Sequence, residues 1–189
     1  NSYLQRHVGS AVAHNVWQYF QVTHDVEFLH AYGAELILDI AFFWSSIASF
    51  DDERGRYELR GVMGPDEFHD GYPDSATPGL NNNAYTNIMA VWVLCRALEV
   101  LDLLSDVRRA ELTTRLGISA EEIARWDDIS RRMFVPFHDD GIISQFEGYE
   151  KLRELDWEAY RTRYGNIQRL DLILEGENDS ANRYKLSKQ

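Results

Sequence analysis

The sequence is short of the features that usually betray a function. One cysteine, Cys95, in 189 residues excludes an internal disulfide and any cysteine-built metal site. Six histidines are present, none in a His-Glu-x-x-His or similar spacing, so no metal cofactor is expected and His14, His24 and His30 read as core or surface residues. His138-Asp139-Asp140-Gly141 is a turn with too few acids for a calcium loop. No Gly-x-Ser-x-Gly elbow, Walker loop or Rossmann glycine pattern occurs. The longest unbroken apolar run, Ile88 to Cys95, is eight residues, too short to span a bilayer. Cations are also in deficit. Nineteen Lys and Arg against 31 Asp and Glu give a formal charge of −12. Such a surface repels phosphate backbones and anionic lipid heads, so neither nucleic acid nor membrane is an expected partner. The opening residues lack a charged stretch followed by an apolar one, so no signal peptide is expected. With the acidic balance and single thiol, this points to the cytoplasm.

What remains is an ordinary globular composition, 44% apolar and 26% charged, which argues against disorder. Aromatics reach 13%, with five Trp and ten Tyr. Flat rings of this kind fill cores, and they also cover the C–H faces of sugars. The chain starts without Met and stops at Leu186-Ser187-Lys188-Gln189 with no capping residue. The expectation is therefore one segment, residues 1–189, of a longer domain cut at both ends.

Helical spacing of apolar residues runs from Tyr3 to Val22, through Val8, Val12, Val16, Tyr19 and Phe20. Asp25 is an N-cap for a second helix, Val26 to Ser49, the two forming an αα-hairpin. A charged turn, Asp51 to Arg56, leads into an extended segment, Tyr57 to Met63. Ala84 to Leu104 is so apolar between Ile88 and Cys95 that burial on every side is expected. A short helix from Val107 to Leu116 ends at Gly117, and Ser119-Ala120-Glu121-Glu122 fits a capping box for a helix reaching Met133. Phe134 to Phe146 reads as extended, Glu147 to Gly165 as a loop with helical turns, and Ile167 to Leu174 and Ala181 to Gln189 as helical. The class is mainly α, with short extended segments serving the loops.

The least ordinary stretch is Gly64 to Asn83, about twenty residues holding three of the four prolines. A loop that long inside a compact domain is usually functional. It opens with Gly64-Pro65-Asp66-Glu67-Phe68-His69-Asp70. In extended backbone two adjacent acids point to opposite faces, so one can enter a pocket while the other ties the loop down. A carboxyl group beside aromatics is partly desolvated and stays protonated nearer neutral pH, as a general acid for glycosidic cleavage must. The same residues would equally serve as a solvated acidic turn capping a strand. Lys188-Gln189 offers a cation and an amide that could hydrogen-bond sugar hydroxyls, although an exposed helix end is the simpler reading.

Gly64-Pro65-Asp66-Glu67-Phe68-His69, followed by Asn82-Asn83-Ala84-Tyr85-Thr86-Asn87, resembles the Gly-Pro-Asp-Glu-[Tyr/Phe]-His … Asn-Asn-Ala-Tyr-Thr-Asn stretch of glycoside hydrolase family 65. Ala41-Phe42-Phe43-Trp44-Ser45-Ser46 is similar to the helix end before that loop, and Lys188-Gln189 to the start of the family's Lys-Gln-Ala-Asp segment. The family holds maltose, trehalose, kojibiose and nigerose phosphorylases together with acid trehalases. The resemblance implies an (α/α)6 barrel of which this chain is about half. It implies Glu67 as general acid and Lys188 and Gln189 as binders of the glucosyl unit, with His69, Asn83 and Tyr85 shaping the pocket. It implies an inverting phosphorolysis of an α-linked glucose disaccharide, with inorganic phosphate as co-substrate and no other cofactor, or hydrolysis in a trehalase-like member. A non-catalytic helical domain that binds a sugar or a partner is the reading from another class. Family members are often homodimers, although no residue here argues for one. Two departures stand out. Asn81 occupies a position where many members have Asp, which removes a charge and any ion pair made there, and Gly71 to Leu80 lengthens the loop, which bears on the aglycone. Half a barrel leaves inner helix faces bare, so Ile88 to Cys95 and Phe43-Trp44 are expected to be partly exposed, and the segment alone to be inactive.

Overall fold

The computed structural model describes residues 2–66 and 68–176. A single 3-10 turn, Ser2–Leu4, precedes α1 (His7–Thr23). A short helical start, α2 (Val26–Phe28), runs through a π-helical turn, Leu29–Gly33, into α3 (Ala34–Ile47). The expected N-cap forms: the Asp25 carboxylate accepts the Phe28 N–H at 2.9 Å. The expected helix is thus continuous, except that its second turn is widened to π spacing and it stops before Ser49, which belongs to β1. Strands β1 (Ser49–Asp51) and β2 (Arg56–Glu58) make a small antiparallel hairpin around the charged turn, with Phe50 opposite Tyr57.

The long loop leads to α4 (Ala84–Leu103), followed by α5 (Asp106–Leu116), α6 (Ala120–Arg132), α7 (Trp157–Tyr164) and α8 (Leu170–Gly176). By length and composition α4 would suffice to cross a bilayer, but it is the helix on which α1, α3 and α6 pack. Its Ala90, Val93, Leu94, Ala97 and Val100 are fully buried, against Ile37, Leu38, Ala41 and Trp44 of α3 and Trp126 and Ile129 of α6 in one core. The expectation of burial on every side needs correction: Tyr85 is 41% and Ile88 44% exposed, because the first turns of α4 face a cleft rather than another helix. Phe43 is likewise 40% exposed, but Trp44, expected to share that exposure, is 1% exposed and donates its indole N–H to Ser10 of α1 at 2.9 Å.

Local chemistry sets most helix ends. Ser105 and Ser119 cap α5 and α6, and Gly117 (φ +69°) ends α5 in the left-handed region. The capping box is only half made. Ser119 accepts the Glu122 N–H, but the Glu122 carboxylate takes the Trp126 indole N–H at 2.8 Å instead of turning back. Arg125 reaches across from α6 to the end of α3, donating to the Ala48 carbonyl at 2.9 Å, so the last turn of α3 is satisfied by another helix. The expected helix Ala181 to Gln189 lies outside the described residues.

Candidate active site

The loop between Gly61 and Asn83 is closed at its neck by backbone. Val62 and Leu80 exchange both N–H···O=C bonds, at 3.0 and 2.7 Å, and the Gly79 N–H donates to the Asp70 carbonyl at 2.7 Å. The two arms run so close that a Cβ on Gly79 (φ +108°) would sit 2.7 Å from the Gly61 Cα, so no side chain fits there. The entering arm is gripped by the start of the chain. The Met63 N–H donates to the Leu4 carbonyl at 3.0 Å, and His7 Nδ1 lies 3.1 Å from the Met63 carbonyl, which can accept only if that nitrogen carries the proton.

Gly64 then brings Asp66 in under Asn83. A Cβ at this position would meet Asn83 Nδ2 at 2.5 Å and Asp66 Oδ1 at 3.0 Å, so a larger residue would push the acidic turn off the helix. Asn83 itself is spent as the N-cap of α4. Its Oδ1 accepts from the Thr86 N–H and the Thr86 hydroxyl, both at 3.0 Å. Asp66 accepts the Gln145 side-chain amide at 2.8 Å, and His69 Nδ1 stands 3.5 Å from the same oxygen. His69 is wholly buried, its ring edge-on to those of Phe68, Phe146 and Tyr149.

A cavity of about 410 Å³ opens beside this turn, lined by Pro65, Asp66, Asn83, Tyr85, His138, Ser144, Gln145 and Tyr149 among others. Of the residues expected at the site, Asn83 and Tyr85 therefore lie on one wall and His69 behind it. Glu67, Lys188 and Gln189 fall outside the described residues. Sequence reasoning missed the opposite wall, Ser144 to Tyr149. Its only local signal is a polar-apolar alternation through Gln145-Phe146-Glu147 ending at Gly148, indistinguishable from an edge strand.

Behind the loop the asparagines bind the two walls together. Asn82, in the left-handed region at φ +50°, accepts the Leu59 N–H and the Asn87 amide on Oδ1. Its own amide donates to Glu147 at 2.8 Å. Glu147 also takes a guanidinium bond from Arg54. Burial works to raise the Glu147 carboxyl, but the bonds from Arg54 and Asn82 outweigh it and hold it below the ordinary carboxylate range. The buried Glu58 is clasped by Arg54 at 2.8 Å and Arg60 at 2.6 Å. The Tyr72 hydroxyl donates to the Glu147 carbonyl at 2.8 Å and accepts the Asn81 N–H at 3.0 Å. Desolvation pushes that phenol above its usual pKa, so it remains a donor. Asn81 takes part through its backbone, the Glu147 N–H donating to its carbonyl at 3.2 Å. Among the described residues the Asn81 side chain makes no hydrogen bond, so the loss of an acid there costs this network nothing.

An α-helical frame that fixes the Gly64-Pro65-Asp66 turn beside a polar cleft with Tyr rings on its walls has the outline of a sugar-active catalytic domain. The comparisons with known proteins give that outline a family. The model of the glycosyl hydrolase family 65 central catalytic domain matches residues 1–189, and the chain belongs to that family. It is 62% identical over 183 residues to an uncharacterized glycosyl hydrolase of Mycobacterium tuberculosis strain H37Rv, covering 97% of this chain and 14% of the relative. The trehalose 6-phosphate phosphorylase of Lactococcus lactis subsp. lactis is 34% identical over all 189 residues, 23% of its length. The kojibiose phosphorylase of Caldanaerobacter subterraneus subsp. tengcongensis is 38% identical over 151 residues, which is 77% of this chain and 18% of that enzyme. Among solved structures, a putative kojibiose phosphorylase from the human microbiome superposes with a TM-score of 0.73 at 21% identity, over 95% of this chain and 24% of its own, and so shares the fold. The chain thus spans about a seventh to a quarter of the length of these relatives.

Proposed function

We propose that this chain is the acid-bearing portion of an inverting α-glucoside phosphorylase, roughly half of an (α/α)6 barrel. The carrying observation is the Gly64 to Asp66 turn, held against α4 by the Asn83–Gly64 contact and against Ser144 to Tyr149 by Gln145, beside a cleft of sugar-sized volume. Membership of a family whose relatives include kojibiose and trehalose 6-phosphate phosphorylases supports the same reading.

In this reading Glu67 gives its proton to the glycosidic oxygen as the bond from that oxygen to the anomeric carbon breaks. A phosphate oxygen forms the new bond from the opposite face, giving β-glucose 1-phosphate and a free sugar. Phosphate arrives as an anion, so no base is required, and no metal or organic cofactor enters. Lys188 and Gln189 hold the glucosyl unit, while Tyr85 offers a ring edge to the cleft and Asn83 keeps the loop seated.

The test uses the full-length enzyme with maltose, trehalose, kojibiose and nigerose, with and without phosphate. Glucose 1-phosphate formed only with phosphate establishes the phosphorylase and names the linkage. Free glucose at an equal rate without phosphate makes the enzyme a hydrolase.

A further inference from the structure

Gln145 lies 79 residues from Asp66 in the chain, yet its side-chain amide makes a 2.8 Å bond to Asp66 Oδ2. Its backbone carbonyl accepts the Ala84 N–H at 3.0 Å, at the first residue of α4. One residue thereby fixes both the acidic turn and the helix that starts just after the loop. The amide orientation is settled by chemistry, since the reverse would set an amide oxygen against a carboxylate. Gln145 Oε1 is buried without a hydrogen-bond partner among the described residues, which costs stability.

Resting on the reading of Glu67 as general acid, we infer that Gln145 is a positioning residue for it. By holding the Asp66 carboxylate, Gln145 fixes the peptide from which Glu67 extends. Asp66 and Glu67 are covalent neighbours, so a swing of the Asp66 side chain and its backbone carries the acid away from the glycosidic oxygen. A displacement near 1 Å at a reacting group costs about a hundredfold in rate.

Two near-isosteric variants of the full-length enzyme separate this role from a structural one. Gln145→Met removes the donor, and kcat is expected to fall about ten- to a hundredfold at every pH, with KM little changed. Gln145→Glu sets a second carboxylate against Asp66 at neutral pH and should lose at least as much. On acidification one of the two carboxyls takes a proton and again supplies a donor, so activity relative to wild type recovers and the optimum moves to lower pH. Among the described residues the other titratable groups beside the pair are His69, His138, Tyr85 and Tyr149, and all are shared by wild type and variants. A purely structural role would lower the melting temperature and leave the pH profile of the folded enzyme unchanged. Wild-type kcat in both variants, or losses that only track melting temperature, would overturn the inference. Glu67→Gln run in parallel keeps the two readings apart. An inactive Glu67→Gln beside fully active Gln145 variants sinks the positioning role alone, whereas an active Glu67→Gln sinks the general-acid reading and the positioning role with it.

Discussion

Where α3, α4 and α6 meet, the chain buries Ile37, Leu38, Val93, Leu94 and Ile129 and holds them by exclusion of water. Between Glu58 and Tyr149 it buries Glu58, His69, Asn82 and Asn83, and each is held by named hydrogen bonds, ion pairs or ring contacts. The first region is non-directional and tolerates shape-conserving change, while the second fixes atoms to within a fraction of an ångström. A catalytic domain needs both, and here they abut at the first turn of α4.

Substitutions can break that division of labour, beginning with the largest effect. Glu67→Gln should cost about 10²- to 10⁴-fold in kcat with the melting temperature unchanged. Steady-state rates and thermal melts on the same sample decide it, and a matching loss of stability would make Glu67 a structural acid. Leu94→Ala should do the reverse, destabilising by about 2–5 kcal/mol in denaturant unfolding while kcat per folded molecule stays near wild type. Asn82→Gly keeps the left-handed backbone but strips the amide from Leu59, Asn87 and Glu147. About 1–3 kcal/mol of stability should go with it, and kcat should fall as well, because these bonds join the two walls of the cleft. Asn83→Ala loses the cap of α4 and should cost about 1 kcal/mol.

The smallest expected effect is set by pH. Glu147 is held below its ordinary carboxylate value when folded. Its contribution to stability is therefore full above the unfolded pKa and disappears as pH falls through the folded one. The melting temperature of wild type should exceed that of Glu147→Gln above the carboxylate range, and the difference should close as pH falls. An identical acid slope in the two proteins would remove Glu147 from the account.

Legibility followed the same division. The apolar periods placed α1, α3, α4 and α6, and Asp25, Gly117 and Ser119 marked the start of α2, the end of α5 and the start of α6, because those signals are local. The π turn at Leu29–Gly33 was invisible, since it leaves the apolar period nearly intact while shifting one hydrogen bond. The apolar run from Ile88 suggested burial on every side, because such a run cannot say which of its faces meets a cleft. At the site, Glu67 and the asparagines stood out through their loop and its motif. Gln145, Arg54 and Glu147 did not, because their meaning lies in partners far along the chain: Asp66 for Gln145, and Glu147, 93 residues away, for Arg54. Glu67, Lys188 and Gln189 lie outside the described residues, so for them the motif alone speaks.

The neck of the loop has a consequence for how such domains diversify. Val62 and Leu80 are bonded to each other, and the backbones at Gly61 and Gly79 touch, so whatever lies between them begins and ends at one fixed point. Pro73, Asp74, Ala76 and Thr77 at the far end are exposed. That far end can then be lengthened or trimmed without re-registering α4, and new preferences can be acquired without the helical frame having to be rebuilt.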